Sequence, residues 1–346
     1  MIRQFQNKDG VMMIYDCFSF FNELDLLEIR LNVLKDAVDK FVLVEAGETH
    51  AGNPKPLYFK ENEARFAEFK DRIIYVCIEK FPEICKTDWG RENYQRNAIA
   101  EGLKNAKDDD TILISDLDEI PRTEKIAEYA GTPGIKVFDQ RYYAYYLNYR
   151  NVLQRYWHGT RMVSYRDFCH VFDGIDTIKN DLLPEWVNEG TTASKIRCRW
   201  LPKSRGATTI IKDGGWHFTS LGDVRRLAEK VRSFAHQEYN PGDGNLDIAA
   251  LERLIAQGRG PFWDMRCYGV PVEGSQLPEY VVQNVEKYRP LIFHVDTAYM
   301  KRTKVPRLLS TIRGMAKCFC ERAMPAFLHN WLHKLKVKVR ERGSAP

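Results

Sequence analysis

Apolar runs and helical repeats alternate along the first third of the chain, and this alternation limits the possible folds more than any other feature. The apolar runs are five to eight residues long, which suits buried strands, and apolar residues between them recur at helical spacing. Strands separated by helices usually pair in parallel. The pattern predicts an α/β fold with a Rossmann-like, mostly parallel sheet flanked by helices. The predicted strands are residues 11–18, 41–46, 73–78 and 111–115, and the predicted helices are residues 23–35 and 91–105.

One continuous body is predicted for residues 11–298, because no change of composition divides it. A chain of 346 residues is long enough for one large α/β domain with a substantial core. Residues 1–10 are polar and are predicted to be a flexible N-terminus. Later in the body, the aromatic residues 136–148 are predicted to form a strand meander or a substrate-facing platform. Residues 224–236, 246–257 and 279–288 are predicted as helices.

Residues 299–346 are predicted to form a basic amphipathic helical tail. From Lys301 onward the chain has twelve Lys or Arg residues and two Glu residues, about +10, whereas the preceding residues carry about −5. Two apolar stripes at helical spacing, Leu308–Phe319 and Leu328–Val339, accompany this charge. Such stripes are typical of helices that lie in a membrane interface. Two helices packed on the body with a solvated basic face would explain them equally well.

An anionic membrane surface is the partner that we expect for the tail. We expect no nucleic acid, because the body is acidic and has no nucleic-acid reader motif. The chain has no run of 18 apolar residues, and its first residues, MIRQFQNKDG, are too polar for a secretory signal. The expected location is the cytoplasm, with the tail as a means of peripheral attachment to the cytoplasmic face of a membrane.

Two carboxylates follow the strand predicted at residues 111–115. Asp116 comes directly after TILIS, and Asp118 follows one residue later. Open α/β sheets bind ligands at the carboxyl ends of their strands. Two carboxylates at such an edge can hold Mn²⁺ or Mg²⁺, and the cation can bind a diphosphate. A solvated turn that caps the next helix is the alternative interpretation.

Several segments of the body keep the order and spacing of a known family over about residues 12–295. They are FNELDLLEIRLNVL, RIIYVCIEKFP, WGRENYQRNAI and ILISDLDEIPR, followed by DGGWHFTS and KVRSFAHQEYN. On these segments the body resembles glycosyltransferase family 17, and the last two are similar to its bacterial branch. The resemblance implies a GT-A type fold and a metal-dependent, inverting transfer of N-acetylglucosamine from UDP-GlcNAc to a glycan acceptor. We expect the acceptor to be a cell-envelope polysaccharide or glycoconjugate, and the membrane surface expected for the tail suits a lipid-linked one.

Two other functions remain open at this stage. Strand-end carboxylates also occur in sugar nucleotidyltransferases, but the loop after the first strand, FSFFNELD, lacks the glycine-rich basic sequence expected there. A nucleic-acid-binding protein that uses the basic tail is the second alternative.

The resemblance assigns several residues to the donor. Asp116 and Asp118 match the acidic pair of the family and become the expected ligands of metal and diphosphate. Glu45 ends the second strand, where an acid commonly contacts the uridine, although a strand-end cap is an alternative role. The residues assigned to the nucleotide are Glu23, Glu45, Arg96, Asn97 and Asp116.

His217 in GGWHF is a further candidate for a metal ligand. The adjacent Gly214 and Gly215 allow a close backbone approach, and an imidazole is an acceptable ligand of Mn²⁺. A structural histidine packed beside Trp216 is as good an interpretation.

Inversion by single displacement needs a carboxylate that takes the proton of the acceptor hydroxyl. Asp213, beside the two glycines, is our first candidate for this base. Glu238 is the second candidate and Glu119 the third.

Overall fold

The structure is a computed structural model, and its described part begins with a short antiparallel hairpin of β1 (Phe5–Asn7) and β2 (Gly10–Met12). Residues predicted to be a flexible N-terminus thus include a strand pair. The described residues are 5–7, 10–170, 193, 196, 208–237, 247–260, 265–273 and 276–323.

The first half of the central sheet is parallel, as the alternation of strands and helices predicts. Its order is β6–β3–β4–β5, and all three strand pairs are parallel. The central strands are buried on both faces because helices cover both sides, which explains their continuous apolar sequence. The four strands are β3 (Ile14–Phe20), β4 (Lys40–Ala46), β5 (Ile73–Ile78) and β6 (Thr111–Asp116).

Helices between these strands form the two outer layers. The helix α1 (Leu24–Leu34) packs on one face, and α4 (Ile99–Gly102) packs on the other. The helix α3 begins at Asp88, three residues before the predicted start at residue 91, because Thr87 caps it: Thr87 Oγ1 accepts a hydrogen bond of 3.0 Å from Gly90 N. The other elements of these layers are α2 (Tyr58–Glu61), a 3-10 helix (Glu63–Phe69) and α3 (Asp88–Asn97).

The second half of the sheet is mainly antiparallel, and of its strands only the meander in residues 136–148 was predicted from the sequence. Its order runs β12–β9–β8–β10–β6, and the connections from β8 to β9 and from β9 to β10 are too short for a parallel crossover. A further strand, β11, pairs with β8 in parallel and with β7 in antiparallel fashion. The strands are β7 (Glu119–Pro121), β8 (Lys136–Ala144), β9 (Tyr149–Asn151), β10 (Tyr156–Ser164), β11 (Thr209–Thr219) and β12 (Cys267–Gly269).

Helices around this half complete the body. The pair formed by α7 and α8 covers a cluster of buried tyrosines. The helix predicted for residues 279–288 ends at Gln283. The remaining elements are α5 (Thr123–Tyr129), α6 (Tyr165–His170), α7 (Val224–Ser233), α8 (Ile248–Ala256), α9 (Glu279–Gln283) and a 3-10 helix (Arg289–Leu291).

The tail begins with α10 (Thr297–Ala323), so the boundary predicted after residue 298 falls inside a helix. None of the described helices is both long enough and apolar enough to cross a membrane. The second apolar stripe, Leu328–Val339, lies outside the described residues.

Candidate functional site

A buried arginine holds the loop that joins β6 to β7. Arg30 of α1 is fully buried and forms two hydrogen bonds of 2.6 and 2.8 Å with the carboxylate of Asp16. Its Nη1 donates to the carbonyl oxygens of Asp116, Leu117 and Glu119 at 2.9 to 3.1 Å. These three bonds fix the backbone that carries the acidic side chains.

This loop forms the floor of a cavity of about 280 Å³ at the carboxyl ends of β3 and β6. The walls come from the loop after β4, from α3 and α7, and from β8, β10 and β11. Carboxylates outnumber lysine and arginine side chains by six to three in the lining, so the cavity favours a cation. The carboxylates are Glu23, Glu48, Glu92, Asp116, Asp118 and Glu119, and the bases are Lys55, Arg96 and Lys230.

Asp116 forms an ion pair with Arg96 on the cavity wall. The distance from Arg96 Nη2 to Asp116 Oδ1 is 2.9 Å, and Glu92 Oε1 lies 2.9 Å from the same nitrogen. Arg96 is nearly buried, whereas 41% of the Asp116 side chain is exposed. Asp116 therefore presents part of its carboxylate to the cavity.

Asp118, Glu119 and His217 form a cluster in which one ligand atom from each residue lies within 4.8 Å of the others. The register of β7 and β11 makes this cluster, because it places His217 opposite Glu119. Gly215 permits the register: its φ is +146°, and a Cβ atom there would lie 2.1 Å from the Ile120 carbonyl oxygen.

Asp118, one of the two carboxylates of the cluster, is charged at neutral pH. Burial alone would raise the pKa of Asp118, but His217 and Lys230 outweigh burial and hold the pKa below its usual value. His217 Nε2 lies 3.5 Å from Asp118 Oδ1, and Lys230 Nζ lies 3.6 Å from Oδ2.

His217 lies between two aromatic rings, with centroid distances of 4.9 Å to Tyr142 and 5.1 Å to Trp157. Its Nδ1 is buried and has no hydrogen-bond partner among the described residues. Trp157 also donates from Nε1 to Glu119 Oε1 at 2.6 Å. An imidazole and carboxylates arranged in this way fit a divalent transition-metal ion or magnesium.

The remaining residues assigned to the nucleotide differ in position. Glu23 and Arg96 line the cavity. Glu45 is fully buried below it and accepts hydrogen bonds from Phe59 N at 3.0 Å and Tyr75 Oη at 2.9 Å. Asn97, the last residue of α3, is not part of the lining. Lys55, which does line the cavity, lies 3.5 Å from Glu45 and was not anticipated from the sequence.

Asp213, our first candidate for the base, lies outside the cavity, so this choice from the sequence is corrected. Its carboxylate is held by Arg141, at 2.6 and 2.9 Å, and by Arg122 at 3.5 Å. The two guanidinium groups therefore hold this carboxylate outside the cavity. Glu238 lies outside the described residues, while His236, two positions earlier, lines the cavity.

His50 and Gln95 are cavity residues that the sequence analysis missed. Gln95 Nε2 donates to the carbonyl oxygens of Phe20 and Val44, so its Oε1 accepts a bond of 2.8 Å from His50 Nε2. Burial lowers the pKa of His50 below its ordinary value, although Glu92 acts in the opposite direction. His50 is therefore a neutral hydrogen-bond donor at pH 7.

These features define an α/β protein with an acidic cavity at the carboxyl edge of its parallel strands. The chain belongs to glycosyltransferase family 17, whose family model matches residues 2–177. Its parallel strands and flanking helices agree with the fold class predicted from the resemblance.

Curated relatives include the β-1,4-mannosyl-glycoprotein 4-β-N-acetylglucosaminyltransferases of Rattus norvegicus and Homo sapiens. The rat protein is 32% identical over 305 residues, 81% of this chain and 54% of the relative. The human protein is 34% identical over 297 residues, 78% of this chain and 53% of the relative. The chain thus spans about half the length of the curated relatives that it matches.

A mannosyltransferase from Pyrobaculum calidifontis, solved with GDP-Man and Mn²⁺, is a structural neighbour with 13% sequence identity. The match covers 88% of this chain and 86% of the neighbour, with a TM-score of 0.36. A TM-score of this size is too low to support an inference about fold or function.

Proposed function

We propose that the protein is a metal-dependent, inverting glycosyltransferase that transfers N-acetylglucosamine from UDP-GlcNAc to a hydroxyl group of a glycan. The main observation is the cluster of Asp118, Glu119 and His217 on the floor of an acidic cavity. The names of the relatives support N-acetylglucosamine as the sugar. The choice of UDP-GlcNAc as the donor follows from the resemblance to family 17.

Asp118 and His217 would hold Mn²⁺ or Mg²⁺ in this proposal, with Glu119 beside them. When bound, the cation supplies positive charge to a diphosphate leaving group. The cavity needs such a charge, because six carboxylates would otherwise repel a nucleoside diphosphate. Arg96 and Lys55 also line the cavity and add positive charge there.

The uridine would lie at the ends of β3 and β4, where Glu23 and Lys55 line the cavity. Glu45 would act indirectly in this arrangement, since it lies 3.5 Å from Lys55 Nζ and is itself buried. Arg96 and Asp116 would bound the same nucleotide site from α3 and β6.

The chemical step we propose is a single displacement. The acceptor oxygen forms a bond to the anomeric carbon, the bond from that carbon to UDP breaks, and a carboxylate takes the acceptor proton. Glu238 is our proposed base, because Asp213 is paired outside the cavity and Glu119 is bound by Trp157 within the metal cluster. Its neighbour in the chain, His236, lines the cavity.

The acceptor we propose is a lipid-linked glycan of the cell envelope, at the cytoplasmic face of an anionic membrane. The strongly basic tail supports this choice, because anionic lipids attract juxtamembrane lysine and arginine residues.

The first prediction tests the donor and the metal together. UDP-GlcNAc hydrolysis should require added Mn²⁺ or Mg²⁺, and Asp118→Asn should reduce the rate at least ~10²-fold by removing a preorganised charge. Asp116→Asn should also reduce it, since it breaks the ion pair with Arg96. Hydrolysis of UDP-sugars and GDP-sugars is measured with purified full-length protein.

Asp108→Asn is the matched control, because this aspartate is exposed and far from the cavity lining. Full activity in EDTA would contradict the metal requirement. A preference for a GDP-sugar would contradict the proposed donor while leaving the metal site intact.

A further inference from the structure

The helix α10 is attached to the body along one side. Gly314 lies against the Val152 and Leu153 carbonyl oxygens so closely that a Cβ atom would be 2.6 and 2.5 Å from them. Ser310 Oγ lies 3.4 Å from Tyr268 Oη. These contacts leave the opposite side of the helix turned away from the body.

Large apolar side chains occupy that opposite side. Leu308, Leu309, Ile312 and Met315 are each 54 to 61% exposed. At about 100° per residue they fall within roughly 120° of the helix circumference, facing away from Ser310 and Gly314. We call these four residues the outward face.

The outward face is unusual for this protein. Nine large apolar side chains are exposed in the described part of the chain, and five of them lie on α10. Soluble proteins rarely expose such residues together unless the patch binds something.

Exposed cations surround the outward face and indicate what it binds. Lys301, Arg302, Lys304 and Arg313 are exposed, and the sequence has no acidic residue between Thr297 and Cys320. A second copy of the chain would bring like charges together at this surface. An anionic lipid bilayer offers both an apolar layer for the leucines and negative headgroups for the cations.

We infer that α10 docks the protein on an anionic membrane, with the outward face inserted into the interface and the inner face still packed on the body. This inference goes beyond the transfer reaction and does not depend on it.

The position of α10 relates the docking surface to the cavity. The helix packs on Val152 and Leu153, and the next residue, Gln154, lines the cavity. Docking would therefore hold that wall of the cavity close to the bilayer. A lipid-linked acceptor would then reach the cavity along this wall, and this consequence rests on the proposed function.

Vesicle flotation of the full-length protein tests the inference. We expect binding to vesicles of phosphatidylcholine with phosphatidylglycerol, and little binding to phosphatidylcholine alone. Leu308→Ser combined with Ile312→Ser and Met315→Ser should weaken binding at least tenfold. Ile84→Ser combined with Val282→Ser is the matched control, since these apolar residues are exposed elsewhere.

A second variant, Lys301→Glu with Lys304→Glu, tests the cations without touching the apolar residues. It should also weaken binding, and high salt should weaken binding of the wild type. UDP-GlcNAc hydrolysis without vesicles should be unchanged in both variants, because none of their residues lines the cavity. Failure of docking and failure of the proposed reaction are thus separate results.

If the triple variant binds vesicles as strongly as the wild-type protein, the inference is overturned, because docking then uses another segment. Self-association that the triple variant abolishes, without vesicle binding, would make the outward face a contact between copies. Salt-sensitive retention on RNA in place of vesicle binding would overturn it as well.

Discussion

At the residue scale, each acidic side chain on the floor of the cavity has its own neighbour. Asp116 is paired with Arg96, Asp118 faces His217 and Lys230, and Glu119 accepts a hydrogen bond from an indole. Because Arg96 already neutralises Asp116, Asp118 is the carboxylate better placed to share a cation with His217.

The second prediction concerns the base. Asp213→Asn should leave turnover within about threefold of wild type, since this carboxylate is bound to Arg141 and Arg122 outside the cavity. Glu238→Gln should reduce turnover at least ~10²-fold and leave UDP affinity nearly unchanged, because a base acts on the acceptor. Single-turnover transfer and UDP titration separate the two effects.

The opposite pattern, with Asp213→Asn inactive and Glu238→Gln active, would restore Asp213 as the base. Loss of folded protein in either variant is checked by its thermal melting curve.

The third prediction concerns His50. Its pKa is lowered in the folded protein, so protonation favours the unfolded chain as the pH falls below about 6.5. The free energy of unfolding should therefore decrease as the pH falls from about 6.5 to the lower pKa that His50 has in the folded protein. The His50→Gln variant should lose less free energy of unfolding over the same pH range. Urea unfolding at several pH values measures this difference.

NMR titration of the His50 imidazole provides the direct check. A midpoint at or above the ordinary value for histidine would contradict the prediction.

Of the residues predicted from the sequence, Asp116, Asp118 and His217 line the cavity, whereas Asp213 does not. Asp213 and His217 are separated by four positions, which in a regular strand places both side chains on one face. Asp213 instead adopts φ = +50°, and the register of β11 with β8 shifts between Ile211 and Gly215. Local spacing could not reveal this irregularity.

At the element scale, the parallel half of the sheet was predictable because its strands are continuously apolar. In the antiparallel half only residues 136–148 were predicted as strands, from their aromatic sequence, because the strands of this half also bury polar side chains. Gln140 and Thr160, on β8 and β10, are fully buried and bonded to each other at 3.2 Å. Strands of this composition do not show the apolar runs that identify a buried strand.

Arg30 illustrates a signal that the sequence did contain. It falls three positions after Leu27 and one before Leu31, within the apolar side of α1. A charged residue there has to be paired inside the protein. Its partner, Asp16, lies on β3, and only the fold brings the two together.

The fourth prediction concerns this pair. Arg30→Met should lower the free energy of unfolding by about 3–5 kcal/mol, because it leaves Asp16 buried without a partner. It should also weaken Mn²⁺ binding, since the carbonyl oxygens of the acidic loop lose their donor. Urea unfolding and metal titration provide the two measurements.

Arg65→Met is the matched control, because Arg65 pairs with Asp25 and Glu28 at the surface. Its effect on the free energy of unfolding should be at most about 1 kcal/mol. Combining Arg30→Met with Asp16→Leu should recover part of the loss. Equal effects of the two single arginine variants would show that the buried pair has no special role.

At the scale of the whole molecule, the cavity lies where the two halves of the sheet meet. Asp116 comes from the end of β6, and Asp118 follows it in the loop, while His217 comes from β11 beyond the antiparallel strands. From the sequence, Asp116 and Asp118 were expected there because they follow a strand, and His217 was a candidate because glycines precede it. The strand pairing between β7 and β11 supplies the physical reason, and it joins segments about 100 residues apart.

The described part of the tail, α10, packs on the body through Tyr299 as well as Gly314. Tyr299 lies on the Phe293 ring at a centroid distance of 5.2 Å, and its Oη accepts a hydrogen bond of 2.9 Å from Gly269 N. We therefore expect the folded unit to continue past residue 298 into α10.

The last prediction compares two truncations. A chain ending at Ala323 keeps all of α10 and should melt like the full-length protein. A chain ending at Asp296 loses the Tyr299 ring and its hydrogen bond, together about 2–4 kcal/mol, so it should melt several degrees lower. If α10 is the docking element, the chain ending at Ala323 should still bind anionic vesicles, while the shorter chain should not. Differential scanning calorimetry and flotation measure these outcomes on the same preparations. Equal melting temperatures for the two truncated chains would mean that α10 adds nothing to the stability of the body, and the boundary predicted after residue 298 would then be the better description.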